Sequence, residues 1–207
     1  MENPRKELPL RKVTPDEWAE AALEDPVRLL NDHAHLEKKA ALNALDLLLV
    51  WPSADPPAGW TKVLSAIAKD EVHHLATVLK LLEKYGGVMS KGHRSEYAQQ
   101  LRQLVRRGEG PLEVIDRLLV SALIEARSAE RFEILGRCCK DATLTKLYRG
   151  LWASEQGHYR IFLETARKAA AVSGHEKACE QRWDEFLDRE AEIIASQPRK
   201  PLLHSWV

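Results

Sequence analysis

Two Glu-x-x-His pairs in this chain could carry metal chemistry: Glu71-Val-His-His74 and Glu155-Gln-Gly-His158. Residues three apart on a helix share a face, so each pair can aim a carboxylate and an imidazole at one point. Such a pair is a common accident in a Glu-rich chain. The placement of these two is more telling. Each follows a glutamate in the preceding apolar helix: Glu37 stands 34 residues before Glu71, and Glu125 stands 30 before Glu155. The surrounding words echo one another. Leu36-Glu37-Lys-Lys-Ala answers Ile124-Glu125-Ala-Arg-Ser, and Asp70-Glu71-Val-His-His74 answers Ser154-Glu155-Gln-Gly-His158. The pattern reads as a diverged internal repeat of one helical hairpin.

These acids sit on apolar faces. In steps of three and four, one helix presents Leu64, Ile67, Ala68, Glu71, Leu75 and Val78; another presents Leu118, Ala122, Glu125, Ala129 and Phe132. A buried carboxylate must be paired or take up a proton. Two divalent ions would offset four such carboxylates. Carboxylate and imidazole ligands suit iron or manganese better than structural zinc, and leave the choice between those two open. The candidate ligands are Glu37, Glu71, His74, Glu125, Glu155 and His158. Three alternatives remain at this point: His73 in place of His74, and Glu130 or Glu133 in place of Glu125.

Elements that could position these residues are all helical, with no period-2 strand pattern. Core helices are expected at about 26–50, 60–85, 111–139 and 141–172, with a C-terminal helix at about 175–195 and an extended tail. Asp25-Pro26 and Asp141 carry N-cap signals, and Gly86-Gly87 and Ser173-Gly174 carry stop signals. Thr14-Pro15-Asp16-Glu17 should open a short first helix with Thr14 as its cap. A short amphipathic helix at 95–107 lies in the connection between the two hairpins. The expected fold is therefore an all-α, ferritin-like four-helix bundle with a long crossover and additional terminal helices, residues 1–207 forming a single domain.

Composition narrows the function classes. Basic and acidic residues balance at 31 each, so no global field favours nucleic acid or membrane; any such contact must be local. No apolar run approaches the roughly 20 residues that span a bilayer, and the N-terminus shows no signal-peptide core. Three cysteines, Cys138, Cys139 and Cys179, make a poor disulfide framework and point to reduced thiols in a cytoplasmic protein.

At the segments Ala34-His-Leu-Glu37-Lys-Lys-Ala-Ala41, Lys69-Asp-Glu71-Val-His-His74, Glu125-Ala-Arg-Ser-Ala-Glu-Arg-Phe132 and Ser154-Glu155-Gln-Gly-His158-Tyr, the chain resembles the di-iron carboxylate proteins of ferritin-like fold. Within them it resembles the MiaE-type tRNA hydroxylases. The resemblance implies a non-haem di-iron monooxygenase that hydroxylates the isopentenyl group of 2-methylthio-isopentenyladenosine beside the anticodon. It implies two iron ions, dioxygen as co-substrate, and an external electron donor such as a reductase or ferredoxin-like protein. The tRNA anticodon loop would be the partner. Asp70 matches an aspartate that, in several relatives, holds the histidine of the other pair, here His158; Ser154 departs from that pattern in the second half.

Phe132, Tyr148, Trp152 and Tyr159 are candidates to line a substrate pocket. Lys91, Arg94, Arg102, Arg106 and Arg107 in the crossover are candidates for RNA contact, with Arg199, Lys200 and His204 in the tail. Competing readings are a ferritin-like ferroxidase or iron-binding protein, and a di-iron oxygenase of another small substrate. A lipid or quinone hydroxylase would need a membrane-facing apolar surface, and a metal-free interaction protein would leave the six-residue register without a purpose.

Overall fold

Seven helices and their connections make up residues 8–207, the part described in this computed structural model. A short helix, α1 (Asp16–Leu23), precedes the first long one, α2 (Pro26–Leu47). Thr14 does not cap α1. Its backbone N–H and hydroxyl donate instead to Glu130, at 2.9 and 2.6 Å, and Pro15 takes the cap position. Asp25 caps α2 as its Asp-Pro signal predicts, accepting from the Arg28 N–H. Helix α2 stops at Leu47, three residues short of expectation. The proline-rich loop that follows leads into α3 (Trp60–Lys84), and the Trp60 indole closes the α2 end by donating to the Leu47 carbonyl at 3.2 Å.

The long crossover runs from Tyr85 to Gly110 and contains α4 (Glu96–Gln103). It is shorter than the 95–107 expected because Asp116 captures the next segment. The buried Asp116 carboxylate accepts from the Arg106 N–H at 3.0 Å and from the Arg106 guanidinium at 2.9 and 2.6 Å, while Arg182 approaches from the other side at 3.3 Å. The second hairpin is α5 (Pro111–Cys138) and α6 (Ala142–Ser173), joined by a turn in which Asp141 accepts from Thr143 and Leu144. Gly136 lets these helices approach closely: a Cβ there would lie 2.9 Å from the Arg149 side chain and 3.3 Å from its backbone nitrogen. Helix α7 (Glu176–Ala195) packs against α4, α5 and α6.

Helix α2 packs on α3 and α5 on α6, giving two hairpins joined by the crossover. Helix α5 is buried on nearly every side, charged positions included. Its Arg127 is fully buried and spans Glu130 and Glu190, donating to Glu190 twice at 2.9 Å. Tyr97 donates to the same Glu190 at 2.9 Å, so one guanidinium ties α4, α5, α7 and the Thr14 segment together.

The last residues are not an extended tail. They fold back over α1, α2 and α5, and Leu203, His204, Ser205 and Trp206 are buried. Asp32 accepts from the Leu203 N–H at 2.7 Å, Arg131 donates to the carbonyls of Ser205 and Trp206 at 2.9 Å each, and the Trp18 indole donates to Ser205 at 3.0 Å. Arg199, expected on an RNA face, stacks on the Trp206 ring 4.1 Å from its centroid.

Removing one partner of a buried ion pair strands the other charge, at a typical cost of about 3–5 kcal/mol. Arg127→Met, which keeps the volume but strands Glu130 and Glu190, should therefore lower unfolding stability by about that amount in a urea titration. A loss below about 1 kcal/mol would show the network to be dispensable.

Candidate metal centre

Helical spacing delivers all six expected ligands to one place. Glu37 comes from α2, Glu71 and His74 from α3, Glu125 from α5, and Glu155 and His158 from α6; all are buried. Their ligand atoms form two groups, each with its members within 4.8 Å of one another: Glu37, Glu71, His74 and Glu155, and Glu71, Glu125, Glu155 and His158. Glu71 and Glu155 belong to both. Each group could hold one metal ion, with one further Glu and one His of its own beside the two shared carboxylates.

The alternatives left open by sequence are placed elsewhere. His73 is exposed. Glu130 is held by Thr14 and Arg127, and Glu133 pairs with Arg137 at 3.2 Å.

Histidine orientation supports the same arrangement. Both rings turn Nδ1 toward the carboxylates: His74 Nδ1 lies 3.1 Å from Glu155 and 3.6 Å from Glu37, and His158 Nδ1 lies 2.8 Å from Glu71 Oε1. Yet His74 Nδ1, Glu71 Oε1 and Glu155 Oε1 are buried without a hydrogen bond of acceptable geometry. Buried polar atoms in proteins are normally satisfied. Close, converging and unsatisfied atoms are what a set of metal ligands presents. Asp70 approaches the outer nitrogen of His158, Nε2, at 3.7 Å from a half-exposed position.

Electrostatics make the need for cations explicit. Burial, then the nearby Glu155 charge, push Glu71 up to about 8. Burial, followed by the Glu71 and Glu155 charges, pushes Glu125 well above the usual carboxylate range. Burial alone would lower both histidines, but hydrogen bonds from the surrounding carboxylates win and carry His74 up to about 12 and His158 to about 10. Glu37 goes the other way: burial opposes its charge, but hydrogen bonds from His33 and His74 hold it far below the usual range. Without metal, protons thus supply the charge balance that two dications would supply with metal.

Sequence reasoning missed His33. It is fully buried and donates from Nε2 to Glu37 Oε1 at 2.6 Å, with its ring against Phe132 and Tyr148. Its position four residues before Glu37 on one helix was the available signal.

A cavity of about 500 Å³ ends on this cluster. Helices α2, α4 and α5 and the C-terminal segment supply its walls, while α3 and α6 contribute only Glu71 and Glu155. This geometry separates the four aromatic candidates. Phe132 lines the cavity; Tyr148, Trp152 and Tyr159 do not, because α6 turns its remaining side chains away. Tyr148 packs on His33 and Phe132, Tyr159 stacks on Trp183, and Trp152 packs partly buried against the hydrophobic core.

The basic candidates separate likewise. Arg102 and Arg107 stand on the cavity rim, where Lys39 and Arg117, which sequence reasoning passed over, join them. Burial, then the charge of Arg102, lower the Lys39 ammonium below its ordinary value, as expected where cations crowd. Arg106 is committed to Asp116. Arg94 donates to Gln99 at 3.2 Å beside a smaller cleft, and Lys91 is exposed in the crossover.

Fold and site together define a ferritin-like protein with a buried cluster of four carboxylates and two histidines that could hold metal ions. A solved structure described as "Protein 43 with aldehyde deformylating oxygenase activity from Synechococcus" superposes with a TM-score of 0.84 at 29% identity, covering 95% of this chain and 96% of that one. A family model described as "tRNA-(MS[2]IO[6]A)-hydroxylase (MiaE)" matches residues 2–205, and the chain belongs to that family. A relative from Pseudomonas putida, named tRNA 2-(methylsulfanyl)-N(6)-isopentenyladenosine(37) hydroxylase, is 36% identical over 194 residues, 94% of this chain and 90% of that protein. A protein of the same name from Salmonella typhimurium is 32% identical over 178 residues, 85% of this chain and 61% of its own length. Among the described residues no helix is long and apolar enough to cross a membrane.

Metal ligands must give up their protons. Glu71, His74 and His158 hold one at pH 7 in the metal-free protein, by the shifts above, and burial pushes Glu125 in the same direction. Ferrous loading should therefore release several protons per chain, and affinity should rise as pH increases from 6 to 8. Calorimetry in buffers of different ionisation enthalpy reads this directly; binding with no proton release would contradict the assigned ligand set.

Proposed function

We propose that this protein is a di-iron monooxygenase that hydroxylates the isopentenyl group of 2-methylthio-isopentenyladenosine in tRNA. Membership of the family supports the substrate. The observation on this chain that carries the reading is the cavity: it ends on the buried carboxylates, has an apolar stretch of wall, and is lined also by Lys39, Arg102, Arg107 and Arg117, with Asp46 and Glu113 among them. Glu37, Glu71, His74, Glu125, Glu155 and His158 would hold two irons, mixed carboxylate and imidazole ligation being suited to that metal. Iron bound there would supply dioxygen activation, the chemistry needed to insert an oxygen atom into an allylic methyl C–H bond.

The chain's own residues do the rest. Leu36, Ala40, Val120, Ile124 and Phe132 give the prenyl group an apolar slot and keep bulk water from the carboxylates. His33 holds Glu37 in place, and Asp70 stands where it can orient His158 from outside. Lys39, Arg102, Arg107 and Arg117 at the rim fit phosphates of an anticodon loop whose base is splayed into the cavity. One oxygen atom enters the C–H bond and the other leaves as water. Two electrons and two protons are therefore needed from outside, and a reductase or ferredoxin-like protein is the fitting source. A tRNA substrate places the reaction in the cytoplasm. A storage or ferroxidase role has no use for an apolar slot under a cationic rim.

The test uses iron-loaded protein, a chemical reductant, dioxygen and tRNA bearing the prenylated base, with nucleoside mass analysis. The prenylated nucleoside should gain one oxygen atom; no conversion by the iron-loaded parent would end the substrate reading. In the same preparation Arg102→Glu with Arg107→Glu should weaken tRNA binding and lower the log–log salt slope by about 1.5, from about 0.7–0.9 per lost phosphate contact. Iron content should stay unchanged. An unaltered slope would move the RNA surface elsewhere.

A further inference from the structure

Of the four cations that line the cavity, Lys39 is the one whose charged group is held by hydrogen bonds among the described residues. Its ammonium lies 2.7 Å from Nδ1 of His93 and donates to the His93 carbonyl at 3.3 Å. Nε2 of the same ring lies 2.6 Å from one Asp32 oxygen, and the other accepts from the Leu203 N–H at 2.7 Å. The His35 ring stacks on His93 with centroids 4.7 Å apart and fixes its plane. A line of contacts thus runs from the tail through α2 and the crossover to the cavity.

Chemistry fixes the direction of each bond in that line. An ammonium has donors only, so Nδ1 of His93 must accept. The ring proton then sits on Nε2 and is donated to the Asp32 carboxylate. Two of the three N–H groups of Lys39 go to His93, and the third has no partner among the described residues. Lys39 is only partly buried, as is its contact with the ring, so this N–H can be reached from the cavity.

A lysine left to itself would not choose this position, since burial and then the charge of Arg102 disfavour an ammonium there. Nor does the crossover need His93 to hold it to α2. Ser90 does that separately: its N–H donates to Asn31 at 2.8 Å, and its hydroxyl lies 3.0 Å from His35 Nε2. Fixing a many-rotamer side chain before a ligand arrives removes an entropic cost that an unheld one meets on binding. We infer that His93, oriented by Asp32, is a positioning residue that holds Lys39 with one ammonium N–H presented to a backbone phosphate of the substrate RNA. This rests on the substrate reading above, and it holds whichever way the base lies in the cavity.

The experiment measures binding of a prenylated anticodon stem-loop to iron-loaded protein at one fixed ionic strength, for His93 variants with Lys39 present and with Lys39→Met. With Lys39 present, His93→Ala should weaken binding about fivefold, the scale of immobilising one such side chain, with iron content kept. Two further variants separate the ring's two contacts. His93→Asn keeps an acceptor in the place of Nδ1 but cannot reach Asp32, and should bind close to the parent. His93→Gln reaches Asp32 but offers Lys39 no acceptor there, and should bind like His93→Ala. In the Lys39→Met background, His93→Ala should make no further difference. A merely structural His93 would cost the same with or without Lys39; that result overturns the inference, and so does parent-like binding by His93→Ala or by Lys39→Met. If His93→Ala fails to fold, the other two decide, and equal binding by His93→Asn and His93→Gln overturns it. If the parent binds no stem-loop at all, the substrate reading fails instead, which is a distinguishable result.

Discussion

Four carboxylates converging in a dry helical core cannot all keep their charge unless positive charge stands among them. Much of the molecule can be read from that constraint. Glu37, Glu71, Glu125 and Glu155 each come from a different long helix, so the bundle brings like charges together at its centre. Protons on the two histidines and on Glu71 relieve this in the metal-free state, and Glu125 is pushed the same way; two dications would relieve it in the loaded one. The histidines answer to this need, and so does His33, whose donated hydrogen bond keeps Glu37 ionised. A centre that must change its protons for metal also needs a rigid surround. The buried Arg127 network on the neighbouring turns of α5 provides it without competing for the ligands.

The site is asymmetric although the ligand pattern is nearly two-fold. The two candidate ligand histidines come from α3 and α6, while the cavity reaches the carboxylates between α2, α5 and the tail. Substrate access and the Asp70–His158 contact therefore lie on different elements. This arrangement lets the walls vary without disturbing the histidine side. A chain with no net charge can still gather cations at this cavity: Lys39, Arg102, Arg107 and Arg117 line it against Asp46 and Glu113, while the charges of Arg106, Arg127 and Arg182 are absorbed by Asp116, Glu130 and Glu190.

The convergence of the six Glu and His side chains was legible in the sequence because helical periodicity is local: i to i+3 pairs and apolar faces fix which side chains share a side. The hairpins were legible for the same reason, through caps such as Asp25 and Asp141. What escaped was non-local. Thr14 has the sequence of a cap but is claimed by Glu130, 116 positions away. Helix α4 ends early because Asp116 captures Arg106. The tail carries two prolines and looks extended, yet anchors on α1, α2 and α5 fold it into the cavity wall. Three of the four aromatic pocket candidates sit on α6, whose apolar face is as good a signal for core packing as for a pocket. Only the relative rotation of α6 and α5, invisible to periodicity, decides between them.

Whether two metals truly share Glu71 and Glu155 is the most direct question to put to this account, and X-ray absorption at the iron edge of the reconstituted protein answers it. The account predicts two irons per chain and a metal–metal scattering shell at about 3.5–4 Å, the usual separation in two-metal sites. A single iron per chain with no metal–metal shell would contradict it.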